Sequence, residues 1–437
     1  MGLLSRKAST PKKGVFQADE AEKQDSDRDD LSECSYQSSN TGSILGSDYQ
    51  SEREGDQDLR GLDCYHGFLP RSDAEELLTQ PGDYLVLTIL SLRAEPAQFM
   101  HLVFPKVDDK WMITDTLGVD NLGAYLAGQR GQQPIVAGDP RTIIRHPVPR
   151  QVWELTISQL VMGNKVGEGA FGEVYRGQLY LDKERQMAVA IKKLKNATVP
   201  AEQKDQFVAE ARLCRRLHHD NIVKFRGVMV EQQPFLMVLE WADGGSLLDN
   251  LQKKGSTYDQ AQKTLFCVQA AQGLRYLEKN KLIHRDVAAR NCLISEGRVK
   301  ISDFGLSLYT LQLKKIDLTK EVLPIRYLAP ETFSKWEFSL KTDVFSFGVL
   351  MWEVFSLGKM PYADLTSAQV AKGVLSGMQL GAPRNTPPGV LKLMALCQST
   401  DPEHRPTFLK LKLHLRKEYD QLAGRRGLFS FLKKKTY

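Results

Sequence analysis

The chain has 437 residues, 42% hydrophobic and 26% charged, with a formal net charge of +6; this exceeds one ordinary domain and supports packed cores. The charge excess is modest and unevenly spread, so nucleic acid is not an expected partner. Cysteines at 34, 64, 214, 267, 292 and 397 have neither zinc-ligand nor disulfide spacing, no signal peptide is visible and no apolar run could cross a bilayer, so a cytoplasmic protein with reduced thiols is expected.

Residues 1–58 carry no periodic apolar pattern. Stretches such as EKQDSDRDDLSECSYQSSNTGS bury too little surface to offset ordering entropy, so disorder is expected there. Tyr36, Tyr49 and the many serines are candidate phosphorylation sites, beside the plainer role of a solubilising tail. Gly2 raises the question of N-acylation, but the motif calls for Ser or Thr at position six, where Arg6 stands and Ser5 falls one place early.

Residues 61–147 read as a small α+β unit. RSDAEELLTQ has helical spacing, with Leu77 and Leu78 on one face and Ser72 as a candidate N-cap. DYLVLTIL, QFMHLVF and KWMIT read as strands, NLGAYLAGQ as a second short helix, and IIRHPVPRQ, with two prolines, as a linker. Residues 155–420 form one large domain. Its first part alternates strand-like runs (VMGNKVG, MAVAIKKL, FLMVLEW) with one helix near 204–217, and its second part is helical, as in TLFCVQAAQGLRYLEK and DVFSFGVLMWEVFSLG. Residues 421–437 make a basic tail with apolar residues interleaved.

The chemistry begins with Val166-Gly167-Glu168-Gly169-Ala170-Phe171-Gly172-Glu173-Val174. Three glycines without Cβ let backbone approach a phosphate. The pattern alone is weak, since dinucleotide folds and tight hairpins share it. Here VYRGQLYL continues as a strand and no helix opens, which argues against a dinucleotide fold. Lys192 ends the apolar run VAIK, where a lone ammonium is costly, so it calls for anionic partners: Glu210 in QFVAEARLCRRL, or the phosphates of ATP. A snorkelling surface lysine is the plainer alternative. In IHRDVAARNCLI, Asp286 is placed to accept a hydroxyl proton; Asn291, with Asp303 of ISDFGLS, offers the hard oxygens magnesium prefers.

Taken in order with Ala329-Pro330-Glu331, these motifs make residues 160–416 resemble a protein kinase catalytic domain of the tyrosine branch. The resemblance implies an α+β, two-lobed kinase fold that transfers the γ-phosphoryl group of ATP, with magnesium, to protein tyrosine. Ala288 stands where Ser/Thr kinases have a lysine, and Arg290 supplies the charge instead, leaving room for a phenol ring to reach Asp286. LPIRYLAPE resembles the tyrosine-kinase substrate platform, with Pro324 against the ring. Leu239 would back the adenine pocket, ahead of hinge residues Glu240 and Trp241. Arg405 would pair with Glu331, a surface pair of little worth unless buried. Phe345 and Gln398 depart from the family, which has Trp at both places.

CYHGFLPRSDAEELL with GDYLV resembles a Src-homology-2 domain, the phosphotyrosine-binding module, and its place before the kinase domain resembles the Fer/Fes group. The compact layout is similar to the short Fer-like kinases of nematodes, without the membrane-curving helical region of longer members. The family's phosphate-gripping arginine is replaced by Leu87, which donates no hydrogen bond. Ile89 stands at a Ser/Thr position, and Lys110 and Trp111 replace a His-Phe pair. Losing one partner of a buried charge pair costs about 3–5 kcal/mol, so weak or no ordinary phosphopeptide binding is expected. A rebuilt anion pocket of Arg71, Lys110 and Arg93 is the rival reading. The unit can instead pack on the small kinase lobe and steady the helix carrying Glu210.

The activation-loop position that usually holds a tyrosine falls at Lys314 or Lys315, leaving Tyr309, Thr310 or Thr319 as substitutes and Tyr327 in the platform. Activity independent of a mid-loop phosphotyrosine, which would pair with Arg285, is therefore expected. In the tail, Phe429, Phe431 and Leu432 lie beside Lys433, Lys434 and Lys435, a candidate peripheral membrane contact at the inner face of the plasma membrane; a frayed basic terminus is the plainer reading. The competing functions are a catalytically silent scaffold, a phosphotyrosine adaptor, which would need the arginine that Leu87 replaces, and a Ser/Thr kinase.

Overall fold

The computed structural model describes residues 63–67, 71–81, 83–91, 98–107, 110–111, 114–115, 146–169, 172–194, 201–230, 234–310 and 323–424. The expected disorder of 1–58, Gly2 acylation, the NLGAYLAGQ helix, the mid-loop positions 311–322 and the tail beyond 424 lie outside those residues.

The front unit opens with helix α1 (Arg71–Leu77), then β1 (Asp83–Ser91), β2 (Gln98–Val107), β3 (Lys110–Trp111), β4 (Thr114–Asp115) and β5 (His146–Pro147). β1 and β2 pair antiparallel with Leu87 opposite Leu102. Alternation puts Leu85 and Leu87 on one face of β1, where both are buried with Ala74 and Leu78. Two expectations change. The helix starts at Arg71, so Ser72 lies in its first turn and is not the N-cap. The expected linker is partly strand: β5 pairs parallel with β1, and Val148 donates its N–H to the Tyr84 carbonyl at 2.9 Å. Pro147 is tolerated because it sits at the sheet edge, where a missing N–H breaks no ladder.

The upper lobe is a five-stranded antiparallel sheet in the order β6-β7-β8-β10-β9. Its strands are β6 (Leu160–Gly169), β7 (Gly172–Tyr180), β8 (Gln186–Leu194), β9 (Phe225–Met229) and β10 (Leu236–Glu240). Helix α2 (Ala201–Arg215) lies between β8 and β9 in sequence. Val189, Ile191, Leu160, Leu179, Leu236 and Val238 form the core of this sheet.

The lower lobe is mainly helical: α3 (Leu247–Lys254), α4 (Gln260–Lys279), α5 (Pro330–Lys335), α6 (Leu340–Phe355), α7 (Ser367–Leu375), α8 (Pro388–Cys397) and α9 (Phe408–Leu422). Short strands β11 (Leu282–Ile283), β12 (Cys292–Ser295), β13 (Arg298–Ile301) and β14 (Leu308–Tyr309) pair as β11-β14 and β12-β13. Asp259 caps α4 by accepting the Gln262 N–H at 2.7 Å, and Ser339 caps α6. α6 is mostly apolar and is buried nearly throughout, including its polar Asp343, Ser346 and Glu353, a central post for the lobe. Among the described residues no helix is long and apolar enough to cross a membrane.

Candidate active site

The glycine-rich run forms the β6–β7 hairpin, in which Gly167 faces Val174, Glu168 faces Glu173 and Gly169 faces Gly172. Ala170 and Phe171, at its tip, lie outside the described residues. The glycines serve different ends. A Cβ on Gly172 would come 2.4 Å from the Lys193 carbonyl oxygen, so this glycine is demanded by the neighbouring strand. A Cβ on Gly169 would meet nothing within 4 Å, so the hairpin there faces open space. Lys165 clasps the hairpin by donating to Glu168 and Glu173, each at 2.7 Å. That bond, with one from the Tyr175 hydroxyl, holds the Glu173 carboxyl below its usual range.

Lys192 leaves β8 toward α2 and donates to both carboxylate oxygens of Glu210 at 2.8 Å. Asp303 stands 3.7 Å from the same ammonium. Burial works against the ammonium, but the charges of Glu210 and Asp303 outweigh it and raise the Lys192 pKa. The surface-lysine alternative therefore falls. Asp303 has φ +60° and Arg285 φ +70°, left-handed backbone that a non-glycine residue holds only when its surroundings impose it.

The loop before β12 is pinned from below. Asp343, in the first turn of α6, accepts the backbone N–H of His284 at 2.7 Å and of Arg285 at 2.9 Å. The His284 ring hydrogen-bonds through Nε2 with the Ser302 carbonyl and through Nδ1 with the Asp286 N–H, which together select the Nε2–H tautomer. The Asp286 carboxylate accepts from Arg290 on one oxygen and from Asn291 Nδ2, at 2.6 Å, on the other. Since the Asn291 nitrogen is engaged there, its side-chain oxygen is left as the acceptor. Ser302, beside Asp303, donates its N–H to the Asn291 carbonyl at 2.9 Å, tying the two candidate metal-ligand segments together.

A family model described as "Protein tyrosine and serine/threonine kinase" matches residues 160–415. Fer-related kinase 1 of Caenorhabditis elegans is 34% identical over 378 residues, covering 83% of this chain and 95% of that protein. The chain belongs to the protein kinase family, in its Fer/Fes group. Human tyrosine-protein kinase Fer is 35% identical over 367 residues, 82% of this chain, and the transforming protein Fps of Fujinami sarcoma virus is 34% identical over 360 residues, 79% of this chain. The chain spans less than half the length of these longer relatives, 44% of Fer and 40% of Fps.

The expected hinge residues follow on from β10. Leu239 lies opposite Ala190 of β8, and the Glu240 carboxylate is turned away to a buried pair with Lys300 at 2.7 Å. Arg405 has a fully buried side chain and grips Glu331 with two bonds, at 2.6 and 2.8 Å, so it is no weak surface pair. Its guanidinium also lies 5.2 Å from the centre of the Phe345 ring. Gln398 is buried too and accepts the Leu380 N–H. Both departures from the family are thus packing positions in the lower lobe. Arg285 donates to the Leu306 carbonyl at 3.1 Å, with its guanidinium 4.3 Å from the centre of the Phe338 ring.

The front unit meets the kinase lobe on α2. Arg212 pairs with Asp73 at 2.6 Å and Arg216 with Glu76 at 2.6 Å, both from α1. Trp153 packs against the cores on both sides, with the Arg215 guanidinium 4.2 Å from its ring centre. Leu87 is buried in the front core. The backbones of Arg71 and Lys110 lie in α1 and β3; their side chains, like that of Ile89 and all of Arg93, are outside the described residues. Sequence reading does not single out Asp343, Glu353 or Asp73, and it meets Trp153 only within the run Val152-Trp153-Glu154-Leu155 that resembles the Fer/Fes group. The usable signal for the two α6 carboxylates is a charge inside an otherwise apolar helix, as in FGVLMWEVF.

Proposed function

We propose that the chain transfers the γ-phosphoryl group of ATP to tyrosine hydroxyls of protein substrates. The observation that carries this is the Glu210–Lys192–Asp303 array, which holds an ammonium charged beneath the glycine hairpin. Lys192 would hold the ATP phosphates and the open backbone around Gly167 and Gly169 would cover them. Adenine would lie against β10 beside Leu239. With the Glu240 carboxylate engaged by Lys300, the hinge would offer it backbone groups. Asp286, oriented by Arg290 and Asn291, would take the phenol proton as the phenol oxygen attacks the γ-phosphorus and ADP departs.

The residues present fit magnesium. Asn291 offers an amide oxygen and Asp303 a half-exposed carboxylate, and no cluster of three or more His, Cys, Asp or Glu exists among the described residues. Few protein ligands with water and phosphate completing the shell is the way this ion is usually held. Bound there, it would neutralise phosphate charge.

Tyrosine is favoured by the buried Ala288, which packs in one cluster with Tyr327 and Leu328 of the platform and puts no cation of its own there. The front unit, an antiparallel sheet with α1 on one face, supports a Src-homology-2 reading. With Leu87 in its core it would act as a clamp on α2 rather than as an ordinary phosphotyrosine receptor. Arg285, engaged by Leu306 and Phe338, supports activity without a mid-loop phosphotyrosine.

The deciding experiment is phosphotransfer from ATP with magnesium to a poly-Glu-Tyr polymer. Wild type should label tyrosine, and Asp286→Asn should lose ~100-fold or more in kcat, the usual worth of a positioned base. A folded, ATP-binding wild type that labels nothing would leave the silent scaffold as the better reading.

A further inference from the structure

Helix α9 is held to the lower lobe by one face. Phe408, Leu411 and Leu415 are buried in the main core, and Phe408 donates its N–H to Glu278 of α4 at 3.3 Å. The opposite face carries Leu409, 41% exposed, and Leu413, 57% exposed, one helical turn apart. The same periodicity sets Lys410, Arg416 and Lys417 around Leu413, all of them exposed. Two exposed leucines are ordinary surface when taken alone. These two stand among cations that little neutralises. Arg416 pairs with Asp420 at 3.1 Å, but Lys410, Lys412 and Lys417 make no ion pair among the described residues.

The charge balance of the chain says what kind of partner fits this face. From Phe408 to Tyr437 the sequence has nine lysines and arginines against two acids, Glu418 and Asp420, a net +7. The whole chain is +6, so all the other residues together come to −1. The entire positive excess of the protein thus lies on α9 and the sequence after it. That sequence, GRRGLFSFLKKKTY, mixes its cations with Leu428, Phe429, Phe431 and Leu432 and contains no acid. A nucleic acid would use the cations and leave the leucines and phenylalanines in water. An anionic bilayer uses both, because apolar side chains enter the headgroup boundary while lysines and arginines meet the negative headgroups.

We propose that the exposed face of α9, together with the basic sequence that follows it, docks the lower lobe on a membrane surface rich in anionic lipid. The helix would lie in the interface and not cross it. The proposal stands apart from the phosphotransfer reading, since Lys192, Glu210, Asp286, Asn291 and Asp303 all lie outside α9.

The test is flotation of the full chain with vesicles of phosphatidylcholine alone and of phosphatidylcholine mixed with phosphatidylserine. The wild type should float with the phosphatidylserine vesicles only, and added salt should release it. Each cation near such a surface is worth about fivefold in affinity, so Lys410→Gln with Lys417→Gln should weaken binding about twentyfold or more. Leu409→Gln with Leu413→Gln keeps every charge and should weaken it about tenfold. Both pairs are surface changes, and phosphorylation of an uncharged tyrosine peptide should stay within about twofold of wild type. A wild type that ignores phosphatidylserine vesicles, or binds phosphatidylcholine equally well, would overturn the proposal. Undiminished binding in both α9 variants would overturn it too, and loss of binding on removing residues 425–437 would then place the contact in the tail alone. A lipid-free wild type that sediments as a dimer, and that the leucine substitutions split, would show that a second copy covers the face instead.

Discussion

At the scale of single residues, the candidate site was legible where its members sit in contiguous loops. Asp286, Asn291 and Asp303 are separated by short stretches of chain, and the structure joins their segments through Asn291 and Ser302. Leu87, expected from the Src-homology-2 resemblance to stand where that family has its phosphate-gripping arginine, is a core side chain. The buried carboxylates were harder to see, since an apolar helix pattern gives no sign of which polar residue it tolerates and for what partner. Glu353 carries a pH consequence of its own. Its carboxyl is raised from 4.5 to about 7 by burial. The folded state then holds the proton more tightly than the unfolded state between those values. Its contribution to stability is fully present at low pH and is lost as pH rises through about 7. The full difference is roughly 3 kcal/mol by the usual conversion of a pKa shift. Glu353→Gln removes this titration, so relative to wild type the variant should gain stability between pH 5 and pH 8, by an amount on the order of that figure. Urea unfolding of both proteins at the two pH values measures it. Parallel pH dependence in the two would show that Glu353 does not titrate in this window.

At the scale of elements, β6, β7, β8, β10, α2, α4 and α6 lie within a few residues of their expected positions, whereas β9 and α9 were not singled out in advance. Periodicity failed where the partner is distant in sequence. Two prolines made residues 143–151 read as a linker, yet β5 finds an edge on β1 that only the folded sheet provides. The same limit hid what α1 does. Its Asp73 and Glu76 look like an ordinary acidic surface, but they face Arg212, Arg215 and Arg216 near the end of α2. Asp73 is 2% exposed while Arg212 is about one-third exposed, so their pair is only partly screened. Glu210 lies on the same helix, two residues before Arg212, so the position of α1 bears on the Lys192 ion pair. Arg212→Glu should lower kcat/KM for both ATP and peptide about fivefold to thirtyfold, as expected if 1–2 kcal/mol of coupling is lost. Asp73→Arg placed in the same chain should restore a large part by re-forming the pair with reversed charges. Unchanged kinetics in Arg212→Glu would mean that the front unit rests on α2 without steadying it.

At the scale of the whole molecule, the segment joining the two units behaves as part of both. Val148 is bonded to the front sheet at Tyr84. A few residues later, Leu155 donates to Val228, and Val228 donates back to Trp153, each at 2.9 Å, so the chain runs along β9 of the kinase lobe. Glu154 reaches back to His66 of the front unit at 2.9 Å. Trp153 stands at the centre, packed on the front core with Leu87 and on the kinase core with α2. Connecting segments with few contacts let domains unfold independently, whereas a shared core makes them cooperative. The full chain should therefore show one calorimetric transition spanning both units. Trp153→Ala removes a half-buried ring shared by the two cores, at a cost of about 2–4 kcal/mol by analogy with large-to-small core substitutions. Because that loss falls on the coupling more than on either core, the variant should show two transitions, the front unit melting first, since its core of Ala74, Leu78, Leu85 and Leu87 is much the smaller. A wild type with two transitions would show that the units were never coupled. A single transition in Trp153→Ala, merely shifted to lower temperature, would place the coupling in the α1–α2 ion pairs, and the Arg212→Glu variant would then be the one to split it.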